Sequence, residues 1–220
     1  EPMKIYVAGH TGLVGSAITR RINLSENHSW VGKTHSELDL TNKNSVVDYV
    51  ADEKPDALII AAARVGGIKA NSDYPVEFLV DNLQIQNNLF QAAASAGTKR
   101  VLFLGSSCIY PKFASQPIKE EDLLTGALET TNEPYALAKI AGIKSINAYR
   151  KQHGFDWVSA MPCNIYGPGD NFDLETGHVL PSLIRRFHEA KEERSAGVAL
   201  WGSGAPLREF LYVDDLADAV

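Results

Sequence analysis

Three glycines, Gly9, Gly12 and Gly15, constrain this chain more than any other feature of its sequence. The run Gly9-His10-Thr11-Gly12-Leu13-Val14-Gly15 follows an apolar segment, Lys4 to Ala8, that reads as a strand, and it opens a segment of helical period from Val14 to Leu24. In that setting backbone N–H groups and the positive end of a helix dipole converge on one point, which suits the pyrophosphate of a dinucleotide. A glycine-rich turn with no ligand is the alternative, and the strand before it and the helix after it weigh against that reading.

The rest of the chain repeats the alternation. Ala57 to Ala62 and Val101 to Gly105 read as buried central strands, Trp157 to Met161 and Val198 to Trp201 as later ones. Between them lie long helical segments, Pro75 to Ala96 and Pro134 to His153, each with Pro in its first turn and Gly just past its end. Apolar strands alternating with helices predict an α/β fold with a doubly wound parallel sheet. With 220 residues, 45% of them hydrophobic and 22% charged, the chain can bury a full core. The last stretch, Phe210 to Val220, reads as a strand, an Asp N-cap and a helix of about two turns, so the chain is expected to end before the natural protein does. Glu1 and Pro2, ahead of Met3, are left out of the fold reading.

Composition narrows the function. The net charge is -6 and the basic residues are scattered, which argues against nucleic acid or an anionic membrane surface as partner. Cys108 and Cys163 are too few and too far apart for a CxxC metal site or a disulfide framework, and a cytoplasmic location fits them. No apolar run approaches the length of a membrane span.

Within the dinucleotide reading, Lys33 and His35 come ahead of Glu37 and Asp39, and no acidic residue stands at the tip of the second strand to hold a ribose 2′-hydroxyl. That favours NADP over NAD. Asp39-Leu40-Thr41 could cap the next helix or touch the adenine. Ala61, Ala62 and Ala63 are small enough to let a cofactor lie against the backbone, and are equally ordinary packing.

Tyr135-Ala136-Leu137-Ala138-Lys139 puts a phenol and an ammonium one helical turn apart on the same face. A cation there is expected to lower the phenol's pKa, so that the tyrosine exchanges a proton with a substrate oxygen near neutral pH. Ser106, at the end of a strand, could donate a hydrogen bond to the same oxygen.

The glycine spacing, the strand-end serine and the YxxxK helix resemble the extended short-chain dehydrogenase family. Four further stretches are similar to its members that epimerise and then reduce a GDP-linked ketosugar: Gly66 to Asn71, Gly105 to Pro111, Asn132 to Gly142, and Gly202 to Phe210. The resemblance implies a Rossmann-like cofactor domain over residues 3–166, substrate-binding insertions over 167–207, and a return to the first domain over 208–220. It implies NADP(H) as cofactor and GDP-4-keto-6-deoxy-D-mannose as substrate. It further implies Cys108 as the base and His178 as the acid of an epimerisation at C3 and C5, and a reduction of C4 by hydride from NADPH in which Tyr135 supplies the oxygen's proton, Lys139 tunes the phenol and Ser106 steadies the oxyanion. Asn164, Arg186, Trp201 and Arg208 would bind the substrate, and the two long helices would pair in a homodimer. Thr11 and His35 depart from the family, whose close members are expected to carry Arg near the cofactor phosphates. Two rival readings stay open: another nucleotide-sugar epimerase, dehydratase or reductase of the same superfamily, and a cofactor-binding regulatory protein without catalysis.

Overall fold

The computed structural model describes residues 2–200, 202–205 and 207–220. Five apolar segments form one parallel sheet: β1 (Met3–Ala8), β2 (His28–Val31), β3 (Ala57–Ile60), β4 (Arg100–Leu104) and β5 (Asp156–Ala160). Their order is β2-β1-β3-β4-β5, every neighbouring pair parallel. Parallel neighbours need crossovers, and helices supply them: α1 (Leu13–Asn23), α2 (Lys43–Glu53), α3 (Ile68–Asp73), α4 (Asn82–Ala96) and α5 (Glu133–His153).

Side chains alternate across each strand, so the sheet has two apolar faces and two cores. Tyr6, Ala8, Leu58, Ile60, Val101 and Phe103 point to one face, where they meet Val46 of α2, Leu89 and Phe90 of α4, and Ile143 and Ile146 of α5. Ile5, Val7 and Ile59 point to the other, against Ala17 and Ile18 of α1 and Val213 and Ala217 of the last helix, Val213–Ala219. Trp157 is fully buried in the first core, and its indole N–H is satisfied by the Thr98 carbonyl at 3.3 Å.

A second, two-stranded parallel sheet pairs β6 (Asn164–Tyr166) with β7 (Phe210–Tyr212), and α6 (Val179–Glu192) lies between them in sequence. The chain then returns to the body, where the last helix, α7 (Val213–Ala219), packs on α1. Arg20 pairs there with Asp214 at 2.6 Å and Arg21 with Asp218 at 2.5 Å.

Four local readings change. The segment Pro75 to Ala96 is not one regular helix: Glu77–Asp81 is a π-helical turn, widened so that the Asn82 side chain donates to the Phe78 carbonyl at 2.7 Å. Asp39 does not cap α2. Its carboxylate is taken by the amide and hydroxyl of Thr41, and Asn42 caps instead, accepting from the Ser45 amide at 3.2 Å. The last helix has Tyr212 at its N-cap with no side-chain cap, while Asp214 and Asp215 lie in its first turn and favour the dipole. Val198 to Leu200 form no strand, because no neighbour among the described residues pairs with them, and Trp201 lies outside the described residues.

The order of the sheet reverses at β1, whose neighbours β2 and β3 lead in opposite directions. Ligands of such sheets bind outside the carboxyl ends of the strands at that point, which is where Gly9 and Ala61 come together.

Candidate active site

The glycine turn is held by space as much as by conformation. Gly9 has φ +87°, and a Cβ there would stand 2.6 Å from the Ala62 amide nitrogen. A Cβ on Gly15 would press into the Gly9 carbonyl. Strand β1, strand β3 and the start of α1 can therefore meet only through glycine. Gly12 is the N-cap of α1, with no side chain capping the helix, so the amides of the first turn have no side-chain acceptor. A position without a cap, on an 11-residue helix opening from a flat glycine turn, fits a pyrophosphate. Thr11 is exposed on this turn, with Leu13 and Val14 partly buried behind it. Ala61 bonds back to the Ala8 carbonyl at 3.0 Å, and Ala61, Ala62 and Ala63 line the adjoining strand end.

Lys33 and His35 follow β2, and both are exposed. Lys33 sits 3.7 Å from Glu37, which also accepts from the Thr34 amide and hydroxyl. His35 lies near enough to Asp39 to act on its carboxylate, which the Thr41 bonds already hold below its usual range. Leu40 is fixed through its carbonyl, which accepts from the buried Asn88 side chain at 2.8 Å.

Four of the expected catalytic residues converge at the end of β4. Gly105 bonds to the Ala160 carbonyl at 2.8 Å and delivers Ser106, which caps a short 3-10 turn, Ser107–Ile109, packed against α5. The Ser106 hydroxyl accepts from the Cys108 amide at 3.4 Å and also bonds the Cys108 thiol. Lys139 is only 4% exposed, and its ammonium donates to the Leu104 carbonyl at 2.8 Å. It lies 4.8 Å from the centre of the Phe103 ring and 5.7 Å from that of Tyr135.

The electrostatics differ from the sequence expectation. Burial pushes the Tyr135 phenol above its ordinary value, and the Cys108 sulfur adds to the rise. Burial lowers Lys139 to about 8, with Cys108 pulling the other way. The thiol of Cys108 is raised by burial and drawn down by the Ser106 bond and by Lys139. Burial is the largest influence on the phenol, and the cation that YxxxK spacing offered to Tyr135 acts on the Cys108 sulfur.

His178 is the exposed N-cap of α6, with its carbonyl accepting from the Ser182 amide at 3.1 Å. A chain of contacts runs from its turn to the phenol. The Gly67 amide donates to the Thr176 carbonyl at 3.2 Å, and Gly67 also packs beside the Gly177 carbonyl. Gly66 abuts the Phe78 ring, which meets Tyr135 edge-on with centroids 6.3 Å apart. Asn71 locks this bridge by donating to the carbonyls of Gly66 and Gly67 at 2.9 and 3.1 Å. Asn82 does the same one step away, donating to the Arg64 carbonyl and accepting from its amide. Phe78 and Asn82 carry no site signal in the sequence, while Asn71 ends the Gly66 to Asn71 stretch on which the family resemblance rests.

Of the expected substrate residues, Asn164 and Arg208 come together at the exposed start of the small sheet, where Asn164 donates to the Glu209 carbonyl at 2.9 Å and Arg208 to the Leu207 carbonyl at 2.8 Å. Arg186 is half-buried on α6 and lines a shallow cleft of about 210 Å³ with Glu189 and residues 195–199 of the following loop. The structure brings these two groups onto different elements.

The model of the NAD dependent epimerase/dehydratase family matches residues 5–220. GDP-L-fucose synthase 1 of Arabidopsis thaliana is 60% identical over 216 residues, 98% of this chain and 67% of that protein. GDP-L-fucose synthase of Escherichia coli (strain K12) is 50% identical over 216 residues, again 98% and 67%. Among solved structures, a GDP-L-fucose synthetase from Naegleria fowleri bound to NADP superposes with a TM-score of 0.89 at 32% identity, covering 98% of this chain and 71% of that one. The chain thus spans about two thirds of the length of the curated relatives it matches.

Proposed function

Since the chain belongs to the NAD dependent epimerase/dehydratase family, among its GDP-L-fucose synthases, we propose that it epimerises GDP-4-keto-6-deoxy-D-mannose at C3 and C5 and reduces C4 to give GDP-L-fucose. The cofactor is NADP(H), held at its pyrophosphate by the turn from Gly9 to Gly15, with Ala61 to Ala63 and Asp39-Leu40 alongside and Lys33 and His35 toward the adenosine phosphate. When bound, NADPH supplies the reducing equivalent for C4.

The observation that carries this reading is the thiol. Cys108, bonded to Ser106, shares one half-buried corner with Tyr135 around the buried Lys139, so a group able to abstract a proton from carbon stands beside the group able to protonate an oxygen. The C4 carbonyl acidifies the hydrogens on C3 and C5. Cys108 takes such a proton as thiolate, the electron pair passes to O4 as an enolate, and His178 returns a proton to the carbon from the other side of the ring. Ser106 stabilises the oxyanion at O4. Tyr135, kept protonated by burial, gives its proton to O4 in the reduction, and Lys139 stabilises the charge left behind. Asn164, Arg186, Trp201 and Arg208 bind the nucleotide and sugar hydroxyls.

Residues 3–166 and 208–220 form the cofactor-binding domain and 167–207 the substrate-binding insertions. Two copies pair through the π-turn, α4 and α5, where Val76, Val80 and Leu137 are left 65%, 51% and 43% exposed. No helix of the described residues is long and apolar enough to cross a membrane, and the enzyme works in the cytoplasm.

The test offers GDP-4-keto-6-deoxy-D-mannose to the protein in deuterated water, with NADPH and without. Deuterium enters C3 and C5 in both cases, and GDP-L-fucose forms only with NADPH. Cys108→Ser or His178→Gln stops the exchange while leaving some reduction. Exchange that survives both substitutions would overturn the assigned roles.

A further inference from the structure

One peptide group links α3 to the turn that presents His178. The Gly66–Gly67 peptide directs its N–H to the Thr176 carbonyl at 3.2 Å, and its oxygen, the Gly66 carbonyl, accepts from the Asn71 side chain at 2.9 Å. The same Asn71 nitrogen also donates to the Gly67 carbonyl at 3.1 Å. A peptide is a rigid plane, so holding its oxygen also aims its nitrogen. Glycine on both sides restrains that plane little by itself. No side chain can be added at Gly66 to do so, because a Cβ there would stand 3.0 Å from the Ala70 methyl and 3.1 Å from the Phe78 ring.

The turn itself is one stiff piece. The Asp173 carboxylate accepts from the amides of Glu175 and Thr176 and from the Thr176 hydroxyl, and the Asp173 carbonyl takes the Gly177 amide at 3.0 Å and the Ser182 hydroxyl at 3.1 Å. A Cβ on Gly177 would stand 2.5 Å from the carbonyl oxygens of Asn171 and Asp173. Such a piece moves as a unit, so the place of His178 depends on what ties the turn down. Among the described residues one hydrogen bond and one ion pair tie it to α3 and its N-cap: Gly67 to Thr176, and Lys69 to Glu175 at 3.6 Å. The ion pair is exposed on both sides and contributes little.

Asn71 is only 5% exposed, and its Oδ1 is buried with no hydrogen-bond partner among the described residues. An amide oxygen buried unpaired is unfavourable, so what this side chain contributes lies in its two donated bonds. The other end of the loop is fixed separately. Asn82 donates to the Arg64 and Phe78 carbonyls and accepts from the Arg64 amide, which holds the Phe78 ring against Tyr135 without help from Asn71.

We propose that Asn71 is a positioning residue for the proton return by His178: through the Gly66–Gly67 peptide it sets where the His178 turn stands relative to Tyr135. The proposal rests on the epimerisation proposed above, and Asn71 itself touches neither substrate nor cofactor. Without its two bonds the peptide rotates, the Thr176 bond goes with it, and the turn shifts as a unit. Asn82 meanwhile keeps the phenol in place, so protonation of the sugar ring suffers more than reduction of C4.

The test uses Asn71→Ala and Asn71→Leu, the second of which keeps the volume and removes the donors. Given the ketosugar and NADPH in deuterated water, both variants should incorporate deuterium roughly tenfold more slowly than wild type at unchanged KM. The share of product reduced at C4 without inversion at C3 and C5 should rise. A merely structural role would lower every rate with the amount of folded protein and leave that share alone. Amide exchange followed by NMR in the 220-residue chain reads the link directly: the Asn71 side-chain amide and the Gly67 N–H are protected in the wild type, and Gly67 loses its protection in both variants. If the variants fail to fold, the wild type decides by itself, since a freely exchanging Asn71 side-chain amide overturns the link. A wild type that neither exchanges nor reduces the ketosugar would end the functional reading, and amide exchange would then decide the link alone. In an active enzyme, an unchanged product share or an unchanged Gly67 protection would end the positioning role and leave the function standing.

Discussion

The ammonium of Lys139 donates to the carbonyl of Leu104 at 2.8 Å, and this one bond ties the helix that carries the phenol to the strand that carries the serine and the thiol. It also fixes the cation against the Phe103 ring and within range of the Cys108 sulfur.

Lys139 is buried with its pKa lowered to about 8 from 10.5. The folded state therefore releases this proton before the unfolded state does. Between those two values the unfolded chain binds more protons, and stability rises with pH, by on the order of 3 kcal/mol at most. Urea unfolding of the wild type and of Lys139→Met at pH 7.5 and pH 10 checks this: the wild type should gain stability relative to the variant as pH rises. Parallel curves would show that the ammonium is not desolvated as the structure has it.

The Ser106 hydroxyl bonds the Cys108 thiol and opposes the effect of burial on it. Ser106→Ala should move the pH midpoint of Cys108 alkylation upward, read by mass spectrometry in a Cys163→Ser background. An unchanged or lower midpoint would mean that the serine does not support the thiolate. The same variant should slow sugar exchange as well as reduction, as the roles proposed for the hydroxyl at the sulfur and at the oxyanion require.

Gly15 has no room for a methyl group against the Gly9 carbonyl. Gly15→Ala should cost ~2–3 kcal/mol by overpacking and lower the melting temperature by roughly 5–10 °C. NADP binding, followed by calorimetry below the melting range, should fall with it, since the helix start moves away from β1. A stable variant that binds NADP normally would show the turn to be looser than the structure places it.

The sheet was legible because its causes are local. Runs such as Leu58 to Ile60 and Val101 to Leu104 are apolar on both faces, as buried parallel strands must be, and Gly97 ends α4 in the left-handed conformation at φ +72°. Readings failed where a distant partner decides. Val198 to Leu200 have the composition of a strand, and no strand among the described residues pairs with them. Asp39 had the residue type of a cap, and Thr41 reached it first.

The same division holds at the site. Ser106, Tyr135 and Lys139 were readable because four-residue spacing on a helix and a strand end next to it fix their neighbours through the backbone. Sequence by itself determined a parallel sheet, a dinucleotide turn and the one-turn spacing of Tyr135 and Lys139, since each depends on periodicity and residue type within a few positions. Only the tertiary structure decided which group the buried ammonium serves and that Gly66 and Gly67 connect the phenol to the His178 turn. Those outcomes depend on burial and on contacts between segments distant in sequence, such as Lys139 with Leu104 and Gly67 with Thr176, and the cost of desolvating a charge exists only once the chain has closed around it.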